Sequence, residues 1–149
     1  MRQAVRAIIV KDGNVLVMHR NKFGLQYYAL PGGSMEPGET QLQTLEREVR
    51  EEASLQIANP RLVIEEDAGK MYGLQHIYLC DYVGGEPTLA PDSEEAKINA
   101  LGSNLYQPLW LPLSDLAQAN LLPAALKEVV ISGIQNGFAG APLQLTIRD

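Results

Sequence analysis

Arg47, Glu48, Glu51 and Glu52 stand within six positions of one another, and their types and spacing could do chemistry. Residues 40–53 read as a helix with Thr40 as its N-cap. At about 100° per residue, Leu42, Leu45, Val49 and Ala53 fall on one narrow apolar stripe, and Glu48, Glu52 and Glu51 cluster on its flank. Arg47 stands beside Glu51 at i,i+4, where it can neutralise and orient that carboxylate. Carboxylates crowded on one helix face repel and raise one another's pKa. A solvated acidic face is the ordinary outcome, but Glu48 and Glu52 border the buried stripe, where charge is costly. A hard divalent cation held by oxygens, Mg²⁺ or Mn²⁺, fits that arrangement.

The composition agrees with such a ligand. The chain of 149 residues carries 12 Lys and Arg against 18 Asp and Glu, a formal net charge of −6. An acidic chain without a Lys/Arg-rich run is poorly suited to nucleic acid. A phosphorylated ligand therefore needs a cation to bring it to the protein. Cys80, alone in an apolar stretch, excludes an internal disulfide and a Cys-based zinc site, and reads as a small buried hydrophobe. No apolar run approaches about 18 residues, so no membrane span is expected. The N-terminal residues lead directly into a strand-like pattern rather than a signal peptide, and a cytoplasmic location is expected. The length predicts a single domain over 1–149.

The elements that must position the helix are legible in outline. Ala4–Val10 and Val15–Met18, joined by Lys11-Asp12-Gly13-Asn14, predict a β-hairpin. Residues 27–30 predict a short strand stopped by Pro31-Gly32-Gly33, and Glu36-Pro37-Gly38-Glu39 predicts a turn before the helix. Further strands are expected at 61–66, 75–83, 105–111 and 143–147, with helices capped by Ser114 and running from about Pro123 to Gln135. Residues 88–104 read as a long, polar, irregular segment carrying Asp92, Glu94 and Glu95. The pattern is that of a mixed α/β fold.

Gly33-x5-Glu39-x7-Arg47-Glu48-Val49-x-Glu51-Glu52-x-Ser54-Leu55 resembles the Nudix box, G-x5-E-x7-R-E-U-x-E-E-x-G-U with U apolar. The Leu30-Pro31-Gly32-Gly33 entry and the flanking strands also resemble the MutT-like Nudix hydrolases. The departure is Ser54, where the family has Gly. A left-handed residue ending the helix costs Ser about 1 kcal/mol, so Ser54 is expected to matter structurally, and Ser54→Gly to stabilise.

The resemblance implies an α/β/α sandwich with a mixed β-sheet and the box helix packed on it. It also implies metal-dependent hydrolysis of the pyrophosphate linkage in a small nucleoside diphosphate derivative, by water attack on phosphorus. Glu48 and Glu52 would be the principal metal ligands, with Glu51 assisting and the Gly32 carbonyl completing the shell. Glu48 or Glu51 is left open as the general base. Arg47 would orient Glu51, and Glu39 would support a second metal or the loop. Arg6 and Arg20 are candidates for substrate phosphates, and one of Asp92, Glu94 and Glu95 for a further acidic ligand. His19 and His76 are expected in ordinary surface or edge roles, and Tyr106 and Trp110 in the core. Alternative substrates are a nucleoside triphosphate or a dinucleoside polyphosphate, the latter suggested by Tyr72, 17 positions past Leu55. Lys70 stands where ADP-ribose hydrolysing members usually carry Pro, and the upstream coenzyme A pattern and the NADH pattern are absent. A non-catalytic sensing module on the same fold and a homodimeric state are also left open.

Overall fold

The protein is described here by a computed structural model over residues 2–146. Eight strands, β1 (Gln3–Lys11), β2 (Asn14–Lys22), β3 (Leu25–Ala29), β4 (Gly32–Ser34), β5 (Gln56–Asp67), β6 (Leu74–Gly84), β7 (Asn104–Pro112) and β8 (Leu143–Thr146), form one mixed sheet. Five helices accompany it: α1 (Gln41–Ala53), α2 (Gly69–Tyr72), α3 (Glu94–Asn99), α4 (Leu113–Leu116) and α5 (Leu126–Asn136). The sheet order is β3-β2-β1-β6-β5-β8, with β4 added to β1 and β7 to β2; β1–β6 and β5–β8 are parallel.

Side-chain alternation along β1 divides the core between the two faces of the sheet. Val5, Ala7 and Ile9 point to one side, where they pack with Leu45, Val49 and Ala53 of α1 and with Cys80. Ile8 points to the other side, against Ile64, Ile77, Leu116, Leu126 and Val130. The result is the expected α/β/α sandwich. Cys80 is the buried hydrophobe it was expected to be, its thiol pushed up to about 12 chiefly by burial.

Helix α1 begins and ends as its residues dictate. The Thr40 hydroxyl accepts from Gln43 N at 3.2 Å while the Gln43 side chain accepts from Thr40 N at 2.9 Å, a reciprocal cap. Ser54 closes the helix in the left-handed region, φ 57° and ψ 27°, its N–H donating to the Val49 and Arg50 carbonyls. The buried stripe is turned further toward the acidic flank than the sequence suggested. Leu45, Val49 and Ala53 are buried, but so are Thr44, Glu48 and Glu52, and Leu42 is 51% exposed. Leu42 lies in the first turn at the far edge of this arc, and the carboxylates lie inside it.

Other expectations need correction. Residues 88–104 are not irregular throughout, because Ser93 caps the short helix α3, accepting from Ala96 N at 3.1 Å. Ser114 lies inside α4, whose N-cap is Pro112. Residues 123–125 make tighter i→i+3 turns before α5 starts. Strand β5 begins at Gln56, five residues earlier than predicted, carried past its bulges by pairing with β6. The expected last strand is present as β8, and its predicted end at Ile147 lies outside the described residues.

Glu66, opposite Gln75 in the β5–β6 register, is 1% exposed, and neither carboxylate oxygen has a hydrogen-bond partner among the described residues. Burial pushes its carboxyl up to about 7. The folded chain thus holds a proton that the unfolded chain releases near its ordinary value of 4.5. The resulting contribution is present in full below that value and is lost as pH rises through about 7. Glu66→Gln should therefore lose less stability than wild type between pH 4.5 and 7 in urea titrations; parallel curves would contradict this.

Candidate active site

Strands β1 and β2 pair beside their turn, at Val10–Val15 and Lys11–Asn14, and then diverge. Strand β4 takes up the vacated edge of β1, with Arg6 opposite Gly32, and β3 and β7 flank β2. Between the two groups lies a cleft of about 530 Å³. Gly32 and Gly33 make its floor possible. Gly32 has φ 144°, and a Cβ there would run into the Val5 backbone. A Cβ on Gly33 would sit 2.6 Å from Glu48 Oε1.

Helix α1 brings Glu48 and Glu52 to this floor one turn apart, 6% and 5% exposed. Glu95, from α3, meets them there: one carboxylate oxygen of each residue lies within 4.8 Å of the others. Glu52 Oε1 accepts from the Gly32 amide at 2.8 Å, and Glu48 Oε1 from Arg47 Nη1 at 2.8 Å. Glu95 Oε2 is buried and has no hydrogen-bond partner among the described residues. Burial, reinforced by Glu48, pushes Glu52 up to about 8, against the opposing pull of the Gly32 amide and Arg6. Glu48 is also raised, by burial first, with Arg47 opposing and Glu95 and Glu51 adding to it. The carboxylates are therefore costly to ionise as they stand, and a cation among them would remove that cost.

Arg47 has a larger role than a partner for Glu51. Its Nε and Nη2 bind both oxygens of Glu39 at 2.7 and 3.0 Å, Nη1 binds Glu48, and Nη2 donates to the Ser34 carbonyl at 3.2 Å. Glu51 lies at 3.5 Å, the longest of these hydrogen bonds. The loop 35–40 folds back to bring Glu39 to this fork, which i,i+4 reasoning along the helix could not see. Glu39 is held down to about 2, first by Arg47 and then by the Glu36 amide.

The cleft lining is also cationic. Arg2, Arg6, Arg20 and Lys22, four of the 12 Lys and Arg in an acidic chain, line the cleft. Arg6 is held by neutral oxygens, donating to Gln75 Oε1 at 3.2 Å and to the Leu30 and Gly32 carbonyls at 3.1 Å. Arg20 lies over the Tyr106 ring, 3.6 Å from its centroid, and bonds Tyr27 Oη, the Leu105 carbonyl and the Asn104 side chain. Such anchoring fixes a guanidinium and leaves donors for an anion.

The cleft thus gathers Gly32, Glu48, Glu52, Glu95, Arg6 and Arg20. Glu51 is outside the three-carboxylate cluster, between Arg47 and Arg50, and Glu39 is bound within its own loop. The Gly32 carbonyl is engaged by Arg6. Asp92 and Glu94 are exposed. His76 bonds Glu65 and Gln3, His19 packs on Tyr28, and Trp110 packs edge-on against Tyr82, each away from the cleft. Tyr106 departs from its expected core role. It supports Arg20 because the two are register partners across β2 and β7, a pairing that no local pattern announces. Tyr72 also reaches the cleft wall.

Known proteins resemble this chain in part or in fold. The human 8-oxo-dGDP phosphatase NUDT18 is 36% identical over 87 residues, 58% of this chain and 24% of that protein. The NAD-capped RNA hydrolase NudC of Pectobacterium atrosepticum is 35% identical over 78 residues, 52% of this chain and 30% of that one. The matches therefore span less than a third of those relatives. The crystal structure of an ADP-ribose pyrophosphatase from Streptococcus suis aligns over 98% of both chains with a TM-score of 0.66 at 19% identity, a likeness of fold. The family model described as NUDIX domain matches residues 1–130, which include the box, the acidic floor and the cationic lining. A box helix carrying its carboxylates onto a mixed sheet, within a family match over most of its length, makes this chain a member of the Nudix family.

Proposed function

We propose that the chain hydrolyses the pyrophosphate linkage of a small nucleoside diphosphate derivative, with Mg²⁺ or Mn²⁺ held by Glu48, Glu52 and Glu95. The observation that carries this reading is the meeting of three carboxylates, one with a buried oxygen that has no hydrogen bond among the described residues, in one cleft with anchored arginines. The donor set, all carboxylate oxygen, suits a hard divalent cation. When bound, such an ion supplies positive charge to phosphate oxygens and acidifies a water.

The chain's own residues do the rest. Arg6 and Arg20 bind phosphate oxygens through the donors their anchors leave free. The Gly32 amide keeps Glu52 oriented, and Arg47 does the same for Glu48. Glu95, whose Oε2 has no hydrogen bond among the described residues, completes the oxygen donor set with Glu48 and Glu52.

A panel of nucleotides assayed with Mg²⁺ or Mn²⁺, with released phosphate measured before and after added phosphatase, tests the reaction class. Tyr72 on the cleft wall keeps a dinucleoside polyphosphate as the second reading, and the same panel separates the two. No turnover across the panel would refute both. Among the acidic residues of 92–95, Glu95→Gln should lower kcat by at least about tenfold, whereas Asp92→Asn and Glu94→Gln should stay near wild type. Equal rates in all three would remove Glu95 from the site.

A further inference from the structure

Ser54 stands where the family box has Gly, and its backbone takes the left-handed conformation that a Gly would adopt without strain. The side chain is not idle. Its hydroxyl donates to the Thr88 carbonyl at 2.7 Å, across 34 residues of sequence. We propose that Ser54 is a positioning residue, whose hydroxyl ties the segment 85–93 to the end of α1 and thereby sets Glu95 against Glu48 and Glu52. The proposal rests on the reading of these three carboxylates as a cation site.

A helix end leaves its last carbonyls without intrahelical partners. Here the segment after β6 supplies donors to them: Thr88 N to Ala53 O at 3.1 Å and Ala90 N to Glu51 O at 2.8 Å. The chain of bonds continues without a gap. The Ala90 carbonyl accepts from Ser93 N at 3.0 Å and from Ser93 Oγ at 2.7 Å, and Ser93 Oγ accepts from Ala96 N, capping α3. Glu95 is the second residue of that helix. A strap of hydrogen bonds thus runs from the last turn of α1, which carries Glu52, to the first turn of α3, which carries Glu95.

At its far end α3 is held by β7, where Asn99 donates to the Tyr106 carbonyl at 2.8 Å and accepts from Tyr106 N at 2.7 Å; the strap holds the end that carries Glu95. No hydrogen bond among the described residues steadies Oε2, so the position of the carboxylate follows that of its backbone. Glu95 in turn helps to raise the carboxyls of Glu48 and Glu52, so its placement bears on theirs. Among the described residues Ser54 supplies the one side-chain bond between the α1 terminus and the strap, at a position where Gly would leave the docking to backbone groups alone.

The test is Mn²⁺ binding by the full chain without substrate, followed by electron paramagnetic resonance, together with melting temperature. One ordinary hydrogen bond corresponds to roughly threefold to tenfold in an equilibrium constant. Ser54→Gly and Ser54→Ala should both weaken Mn²⁺ binding by about that factor, even though Gly relieves the positive φ and Ala does not. Ser54→Thr keeps the hydroxyl but puts a β-branched residue at positive φ; it should melt lower than wild type yet bind Mn²⁺ near normally. Affinity would then follow the hydroxyl and not the stability. In a Glu95→Gln background, Ser54→Gly should change Mn²⁺ binding little, because the strap acts through Glu95. Wild-type affinity in Ser54→Gly and Ser54→Ala, alongside weakened binding in Glu48→Gln and Glu52→Gln, overturns the strap alone. Unweakened binding in Glu48→Gln and Glu52→Gln overturns the cation site and the strap with it.

Discussion

Glu48→Gln and Glu52→Gln should each lower kcat by roughly 10² or more, because each removes a charge from the floor of the cleft while keeping its shape. The two oxygens belong to one cluster, so the double variant should lose far less than the product of the single losses. Stability without metal should move the other way. Both carboxyls are raised chiefly by burial, and Glu52 further by Glu48, so the amides should melt at the same temperature as wild type or higher. The gain should be largest above pH 8, where Glu52 ionises in the wild type. Added Mg²⁺ should stabilise the wild type more than either variant, by mass action on the folded state. Titrating Mg²⁺ against rate and melting temperature checks each point. Full activity in either single variant would falsify the catalytic reading.

Arg47→Ala should have the largest effect on stability of any substitution in the box, about 2 kcal/mol or more. Its fork joins Glu39, Glu48 and the Ser34 carbonyl, and the side chain is 18% exposed. Its loss leaves Glu48 buried without its countercharge and frees the loop 35–40 from the helix. Arg47→Lys keeps the charge but cannot reproduce the bidentate contact with Glu39, and should recover less than half of the loss. The pH dependence has a definite sign. Glu39 is depressed to about 2 in the folded chain, so its share of the advantage of wild type over Arg47→Ala is present above 4.5 and is lost as pH falls through about 2. Chemical denaturation at pH 7 and pH 3 measures it. A variant as stable as wild type at pH 7 would show that the fork carries no stability.

The reach of the sequence can be seen residue by residue. Thr40, the 3.6-residue periodicity and Ser54 determine α1 with both ends, because caps and amphipathic faces are local properties. The same local reasoning places Glu48 and Glu52 on one flank, the β1–β2 hairpin at its turn and Cys80 in the core. The helix α3 was missed because six residues carry too little periodicity to stand out from a polar segment.

What only the tertiary structure decided is everything that depends on chain segments far apart in sequence. Glu95 joins Glu48 and Glu52 across more than forty residues, and Tyr106 comes beneath Arg20 through the β2–β7 register. Glu39, not Glu51, becomes the main partner of Arg47 because a loop folds back. Ser54, which by itself predicts only a helix end, acquires the Thr88 carbonyl as a partner. Local sequence determines which residues can share a helix face or a turn, since backbone geometry repeats over a few residues. Which faces then meet is decided by sheet pairing and core packing, where the partners are set by the whole chain at once.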